Sequence, residues 1–229
     1  MNIKGLQKTT LLDFPGRVAC TVFTGGCNFR CPFCHNASLV LSPNSVSGIS
    51  EEDFFSFLSK RNGILDGVCI TGGEPLLQKD IVDFIRRIKN EGFAVKLDTN
   101  GSFPDRLKAI VSENLIDYIA MDIKNCEEKY LLTAGIDENC KQVFDSIDFI
   151  MSSGVEYEFR TTVVKELHSV QDIKNIAKRI KGAKRYFLQN FKDSGDLIRS
   201  DFSAHSEDEL RKMLAAAAPY VEMCQLRGI

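Results

Sequence analysis

Residues 67–92 read GVCITGGEPLLQKDIVDFIRRIKNEG, and this stretch decides how the chain is built. Gly67-Val68-Cys69-Ile70 is an apolar run of strand length, broken by Thr71-Gly72-Gly73-Glu74-Pro75. Behind the break, Ile81, Phe84, Ile85 and Ile88 recur at helical spacing on one face, and Gly92 stands where a left-handed residue would end the helix. A buried strand, a polar turn and an amphipathic helix make one βα unit.

The same unit recurs on both sides. Downstream, periodicity predicts strands at 93–97, 118–123, 155–164 and 185–189, alternating with helices at 104–113, about 139–153, 169–180 and 206–218. The tail 220–226 leaves room for one more strand. Upstream, 3–24 reads as extended, with a turn at Asp13-Phe14-Pro15-Gly16 and a strand over 17–23. Residues 39–50 form a polar connector, and Ser50 with Asp53 fits a capping box for a helix to about 62. Strands alternating with helices imply right-handed crossovers and a parallel sheet. About six units are too few for a closed eight-stranded barrel, and a splayed barrel and a doubly wound sheet both satisfy the pattern. In either, polar groups gather at the C-terminal ends of the strands. There stand Gly72-Gly73-Glu74-Pro75, Asp98-Thr99-Asn100-Gly101, Asp122-Ile123-Lys124 and Gln189-Asn190.

Length and composition bound the rest. A chain of 229 residues with 44% hydrophobic and 26% charged residues suits a single globular domain over 1–229. A net charge of −2 gives no footprint for nucleic acid or an anionic membrane. No signal-like opening and no membrane-length apolar run is visible, so eight cysteines point to a reducing, cytoplasmic setting.

One loop carries the chemistry: Gly25-Gly26-Cys27-Asn28-Phe29-Arg30-Cys31-Pro32-Phe33-Cys34-His35-Asn36. Its three cysteines are spaced C-x3-C-x2-C, an odd number of soft ligands placed for a metal rather than a disulfide. Zinc would need a fourth ligand, which His35 could supply; an iron–sulfur cubane held by three thiolates would keep one iron open. The other five cysteines (20, 69, 126, 140 and 224) lack ligand spacing and read as small buried hydrophobes.

Other rim residues have bland readings beside functional ones. Gly72 and Gly73 either shape a tight turn or let a ligand approach the backbone. Asp98 and Asp122 could hold a cation, grip hydroxyls or pair with Lys124. Arg160, inside a strand, needs an anion or a carboxylate. His168 and His205 read as solvated loop residues.

The cysteine spacing, with an aromatic before its last member, resembles the signature of the radical S-adenosylmethionine (SAM) superfamily. Further motifs narrow the likeness: Gly5-Leu6-Gln7-Lys8-Thr9, Asp13-Phe14-Pro15-Gly16, Cys34-His35-Asn36, residues 72–78, Asp98-Thr99-Asn100-Gly101 and Asp122-Ile123-Lys124. With them the whole chain resembles the glycyl-radical-enzyme activating branch, nearest to activators of anaerobic ribonucleoside-triphosphate reductase and then to those of pyruvate formate-lyase. The resemblance implies an α/β fold, a partial (β/α)6 barrel with an N-terminal extended segment. It implies a [4Fe-4S] cluster on Cys27, Cys31 and Cys34, whose open iron chelates SAM. Phe33 and His35 would flank the adenine, and Gly72, Gly73 and Glu74 would receive the methionine ammonium. Asp98, Asn100, Asp122, Ile123 and Lys124 would line the rest of the cofactor, with Arg160 a carboxylate partner. Gln189, or Asn190, stands near where the pyruvate formate-lyase activases carry a His. Asp98, Thr99 and Asp122 would frame a monovalent cation.

The implied reaction starts with an electron from a flavodoxin or ferredoxin. Reductive cleavage of SAM to methionine and a 5′-deoxyadenosyl radical follows, and the radical takes hydrogen from a glycine of a partner enzyme, here the anaerobic ribonucleotide reductase large subunit. Two departures from the pyruvate formate-lyase activases stand out: Phe14 replaces a Gly, and Leu188-Gln189-Asn190-Phe191 stands where they carry a His; with no cysteine-rich insert, one cluster is expected. Other readings are a pyruvate formate-lyase-type activase, a radical enzyme of modified-base synthesis acting on a small molecule, or a non-catalytic metal-binding protein.

Overall fold

The structure is a computed structural model that describes residues 1–137 and 139–228. Its sheet has eight strands in strictly sequential order: β1 (Ile3–Thr10), β2 (Ala19–Thr24), β3 (Gly67–Gly72), β4 (Ala94–Thr99), β5 (Tyr118–Asp122), β6 (Glu156–Val163), β7 (Tyr186–Asn190) and β8 (Cys224–Arg227). β1 runs antiparallel to β2 and every later neighbour is parallel. Sequential order leaves no point where the chain reverses direction across the sheet, so the doubly wound alternative is excluded. The sheet also curls. Arg160 of β6 reaches past β5 to Asp98 of β4, and Arg227 of β8 reaches past β7 to Glu158 of β6. Both contacts bridge side chains two strands apart on one face, the face that a partial barrel encloses. β1 and β8 remain its two edges, as in a partial barrel.

Register sorts the side chains. Thr21, Cys69, Lys96 and Tyr118 lie in one row across β2–β5; Asp98 lies beside Ala120 and Glu158, and Asp122 beside Arg160 and Phe187. This parity faces a lumen and is polar. The other parity, including Val22, Val68, Ile70, Val95, Leu97, Ile119, Phe159 and Leu188, is buried in one apolar core with the covering helices. Those are α1 (Ala37–Leu41), α2 (Glu51–Ser59), α3 (Ile81–Asn90), α4 (Pro104–Ser112), α5 (Tyr130–Ala134), α6 (Lys141–Ser152), α7 (Val170–Arg179) and α8 (Glu207–Ala217). Phe14, Ala19, Ala94 and Tyr118 form a small separate apolar cluster that includes the aromatic of the Asp13–Gly16 turn.

Several local expectations change. The polar connector contains α1, because Ala37, Leu39 and Val40 bury themselves, followed by a short 3-10 turn. The break after β3 contains a short 3-10 turn at Pro75–Leu77, and the helix begins at Ile81. Ser50 caps α2 by accepting from the Asp53 N–H at 3.0 Å, but Asp53 takes the Ser50 hydroxyl instead of completing a box. The complete box is at Ser169 and Asp172, at the start of α7. Among the described residues no helix is long and apolar enough to cross a membrane.

Candidate active site

β2 delivers the cysteine loop directly beside the turn that follows β3. Gly73 N–H donates to the Thr24 carbonyl at 2.9 Å and Glu74 N–H to the Gly26 carbonyl at 2.9 Å. A Cβ on Gly73 would stand 1.9 Å from that Gly26 oxygen. Gly72, at φ +111°, would press a Cβ against Thr24 backbone atoms at 2.4 and 2.5 Å. The glycines read as leaving room for a ligand are therefore needed first for backbone to pass backbone. Asn36 Nδ2 closes the loop onto the turn by donating to the Gly72 carbonyl at 3.2 Å.

Within the loop Cys31 is buried, and Cys27 and Cys34 are half-buried. Burial pushes the Cys27 thiol up to about 11 and the Cys31 thiol to about 12, so a metal must displace their protons to bind. Asn100 Nδ2 lies 3.7 Å from Cys27 Sγ, and Cys31 Sγ lies 3.6 Å from the Ala134 carbonyl of α5. Among the described residues no group of three or more His, Cys, Asp and Glu is placed to hold a single metal ion. His35 is occupied elsewhere: its Nε2 donates to the Lys192 carbonyl at 2.7 Å and its ring stacks on Phe191. Three separated thiols around a cavity suit a cluster, whose corners lie apart, better than one zinc ion. Among the described residues, the Tyr130 hydroxyl of α5, the helix packed on this loop, is buried without a hydrogen-bond partner.

The three thiols open on a cavity of about 150 Å³. Of the residues singled out from sequence, Phe33, His35, Gly72, Gly73, Asp98, Thr99, Asn100, Asp122 and Lys124 line it with the cysteines. Glu74, Ile123, Arg160 and Gln189 do not. Ile123 is buried in the core, and Gln189 and Asn190 line an adjoining depression with His35 and Thr162. Phe29, Asn36, Val40, Thr71 and Thr162 also line the cavity and were not anticipated. Thr71 and Thr162 had a signal in strand parity, since each lies two residues beyond an inward-facing position, Cys69 and Arg160.

Glu74 differs most from its expectation. It is fully buried and acts as a staple rather than a ligand contact. Its Oε1 accepts from Leu76 N–H at 3.0 Å and the Thr99 hydroxyl at 2.9 Å, and its Oε2 from Asn100 N–H at 2.7 Å. Burial pushes its pKa up to about 7 against the pull of these donors.

The corner expected to frame a monovalent cation holds protein cations. Arg160 stands between the two carboxylates, with Nε donating to Asp122 at 2.9 Å and an Nη to Asp98 at 3.1 Å. Lys96 pairs with Asp98 and Lys124 with Asp122, the latter at 3.2 Å. Burial works against the Asp122 carboxylate, but Arg160 and Lys124 outweigh it and hold the group well below the usual range. Asp98 is lowered in the same way by Arg160 and Lys96. Burial also opposes the Lys124 ammonium, yet Asp122 and then Cys31 raise its pKa. His168 is buried rather than solvated, a correction with a clear cause. Its Nε2 donates to the Lys124 carbonyl at 2.7 Å while Nδ1 accepts from Val164 N–H at 3.1 Å, so the neutral ring anchors the backbone of the rim. His205 in turn reaches the His168 carbonyl at 3.0 Å.

The Radical SAM superfamily profile matches residues 21–180. A protein of Methanocaldococcus jannaschii named as a candidate glycyl-radical enzyme activating enzyme is 32% identical over 234 residues, spanning 99% of this chain and 96% of its own. A 7-carboxy-7-deazaguanine synthase of Methanopyrus kandleri is 28% identical over 205 residues, spanning 72% of this chain and 81% of that protein. The crystal structure of a domain of pyruvate-formate lyase-activating enzyme from Bacteroides vulgatus matches with a TM-score of 0.59 at 16% identity, covering 71% of this chain and 99% of that one. At that identity the likeness is one of fold.

Proposed function

The chain belongs to the radical SAM superfamily and is an enzyme of its glycyl-radical activating kind, and from that premise we propose that it activates an anaerobic ribonucleotide reductase. One observation carries the reading: the three thiols, the Gly72-Gly73 turn and the polar ends of β4, β5 and β6 share one cavity. Cys27, Cys31 and Cys34 would hold a [4Fe-4S] cluster. That group, once reduced by a flavodoxin or ferredoxin of the cytoplasm, supplies the cleavage of SAM that yields a hydrogen-abstracting 5′-deoxyadenosyl radical. The chain's own residues bind and shelter. Lys124, at the cavity wall, offers positive charge to the methionine carboxylate, and Phe29, Phe33 and Val40 give the pocket an apolar wall that keeps water away. The choice of reductase as partner rests on the resemblance carried jointly by residues 5–9, 13–16, 34–36, 72–78, 98–101 and 122–124.

Anaerobic protein, reduced and mixed with SAM and the reductase, should yield a glycyl doublet by electron paramagnetic resonance. A doublet on pyruvate formate-lyase instead would move the partner but keep the activity. The 7-carboxy-7-deazaguanine synthase likeness favours a second reading, a small purine-like carboxylate as substrate. SAM cleavage that accelerates with such a compound and never with either protein would select it.

A further inference from the structure

Beside Lys124 the lumen carries more positive charge than its own carboxylates require. Asp98 receives Lys96 and Arg160, and Asp122 receives Arg160 and Lys124. Three cations therefore face two carboxylates, a formal excess of one positive charge. Lys96 is the deepest of them, with its side chain 2% exposed against 32% for Asp122 at the cavity. Besides Asp98 it reaches Cys69 Sγ at 3.7 Å, a thiol that burial keeps neutral. The other charged groups of the lumen are engaged: Glu158 holds Arg227, and Asp13 accepts from the Thr21 hydroxyl at 2.5 Å. Thr99, the third residue expected to hold a metal cation, spends its hydroxyl proton on Glu74 at 2.9 Å.

We infer that Lys96 is a built-in counter-ion that sets the charge of this corner, so that a carboxylate-bearing cofactor meets a net positive wall without a monovalent metal ion. The inference rests on the reading of the cavity as a SAM site. A tethered ammonium neutralises Asp98, so that Arg160, behind the two carboxylates, offsets Asp122 and Lys124, at the cavity wall, carries the surplus charge. A metal ion added between Asp98 and Asp122 would raise the excess to two in a buried corner, where like charges repel strongly. Removing the Lys96 charge would leave two cations against two carboxylates, and an incoming carboxylate would meet a neutral site.

The test uses cluster-loaded protein under anaerobic conditions, with SAM binding measured by equilibrium dialysis in potassium, sodium or choline chloride at one ionic strength. Wild-type affinity should agree within about twofold across the three salts. Lys96→Met, which keeps the volume, should bind about tenfold more weakly in choline, a change of roughly 1.4 kcal/mol, and recover in potassium or sodium. Lys96→Arg should behave as wild type. A wild-type protein that binds SAM only with potassium or sodium overturns the inference and leaves the functional reading intact. So does a Lys96→Met protein that binds normally in choline. No SAM binding by wild type in any salt overturns both.

Discussion

At Gly73 the space for a hydrogen atom is all that separates the cysteine loop from the turn after β3. The Cβ of an alanine there would meet the Gly26 carbonyl oxygen at 1.9 Å and its carbon at 2.6 Å, and neither backbone atom can swing aside. Gly73→Ala should cost about 2 to 3 kcal/mol in urea unfolding and lower the iron and sulfide retained after reconstitution. Its neighbour Glu74 makes a pH-dependent contribution. A carboxyl whose folded pKa is raised to about 7 from 4.5 holds its proton more tightly when folded, so this part of the stability is full below about pH 4.5. It is lost as pH rises through about 7. Unfolding free energy should fall between about pH 5 and pH 8 more steeply in wild type than in Glu74→Gln. Equal slopes would mean that the three donors on the carboxylate outweigh its burial. The residue types at this turn were legible in sequence, but their contacts were not. A carboxylate beside a glycine turn has the same one-dimensional pattern whether it faces a ligand or, as here, the N–H of Asn100 in the loop after β4.

At the scale of elements, α5, like α1, is a piece that sequence periodicity passed over. Five residues, Tyr130–Ala134, are too few to establish a helical face. Yet this turn props the cysteine loop: Arg30 N–H donates to the Ala134 carbonyl at 2.9 Å, and Gly135, at φ +63°, would drive a Cβ to 2.2 Å from the Arg30 oxygen. The longer helices were readable because each carries a full apolar stripe, as Ile81, Phe84, Ile85 and Ile88 do on α3. Two substitutions separate support of the fold from support of the site. Ser169→Ala removes the hydroxyl of the capping box on α7 and should cost about 1 kcal/mol with cluster content unchanged. Gly135→Ala should cost about 2 kcal/mol and also reduce cluster content, because the strain falls on the backbone that carries Cys31. Urea unfolding and iron analysis on both proteins check the contrast, and equal iron contents would remove α5 from the site.

At the scale of the whole molecule, the sheet places charge in the lumen in two sets with different duties. The rim set is Lys96, Asp98, Arg160, Asp122 and Lys124, of which Asp98, Asp122 and Lys124 line the cavity. Toward the other edge, Arg227 of β8 reaches Glu158 of β6 with two hydrogen bonds of 2.9 and 3.0 Å, and its guanidinium lies 3.4 Å over the Phe187 ring. Tyr118 donates to the same carboxylate at 3.0 Å. This second set is locally neutral and ties the last strand to the barrel, so it serves closure rather than binding. The strands followed from the alternation of βα units, but their order did not, since a doubly wound sheet has the same alternation and the sequential order β1–β8 is a finding of the structure; parity alone explains why charged residues could occupy strand interiors. The pairings across the lumen depend on curl, which no linear pattern encodes. If the second set is structural, Arg227→Met should destabilise by about 3 kcal/mol, because Glu158 keeps a buried charge with one cation gone. Adding Glu158→Gln should return a large part of that loss, since the unpaired charge disappears with its carboxylate. SAM affinity in the double variant should match wild type within about twofold, as the rim set is untouched. Unfolding curves for the two single variants and the double, with dialysis on the cluster-loaded double, complete the cycle. Full additivity of the losses would mean that the two side chains do not act as a pair.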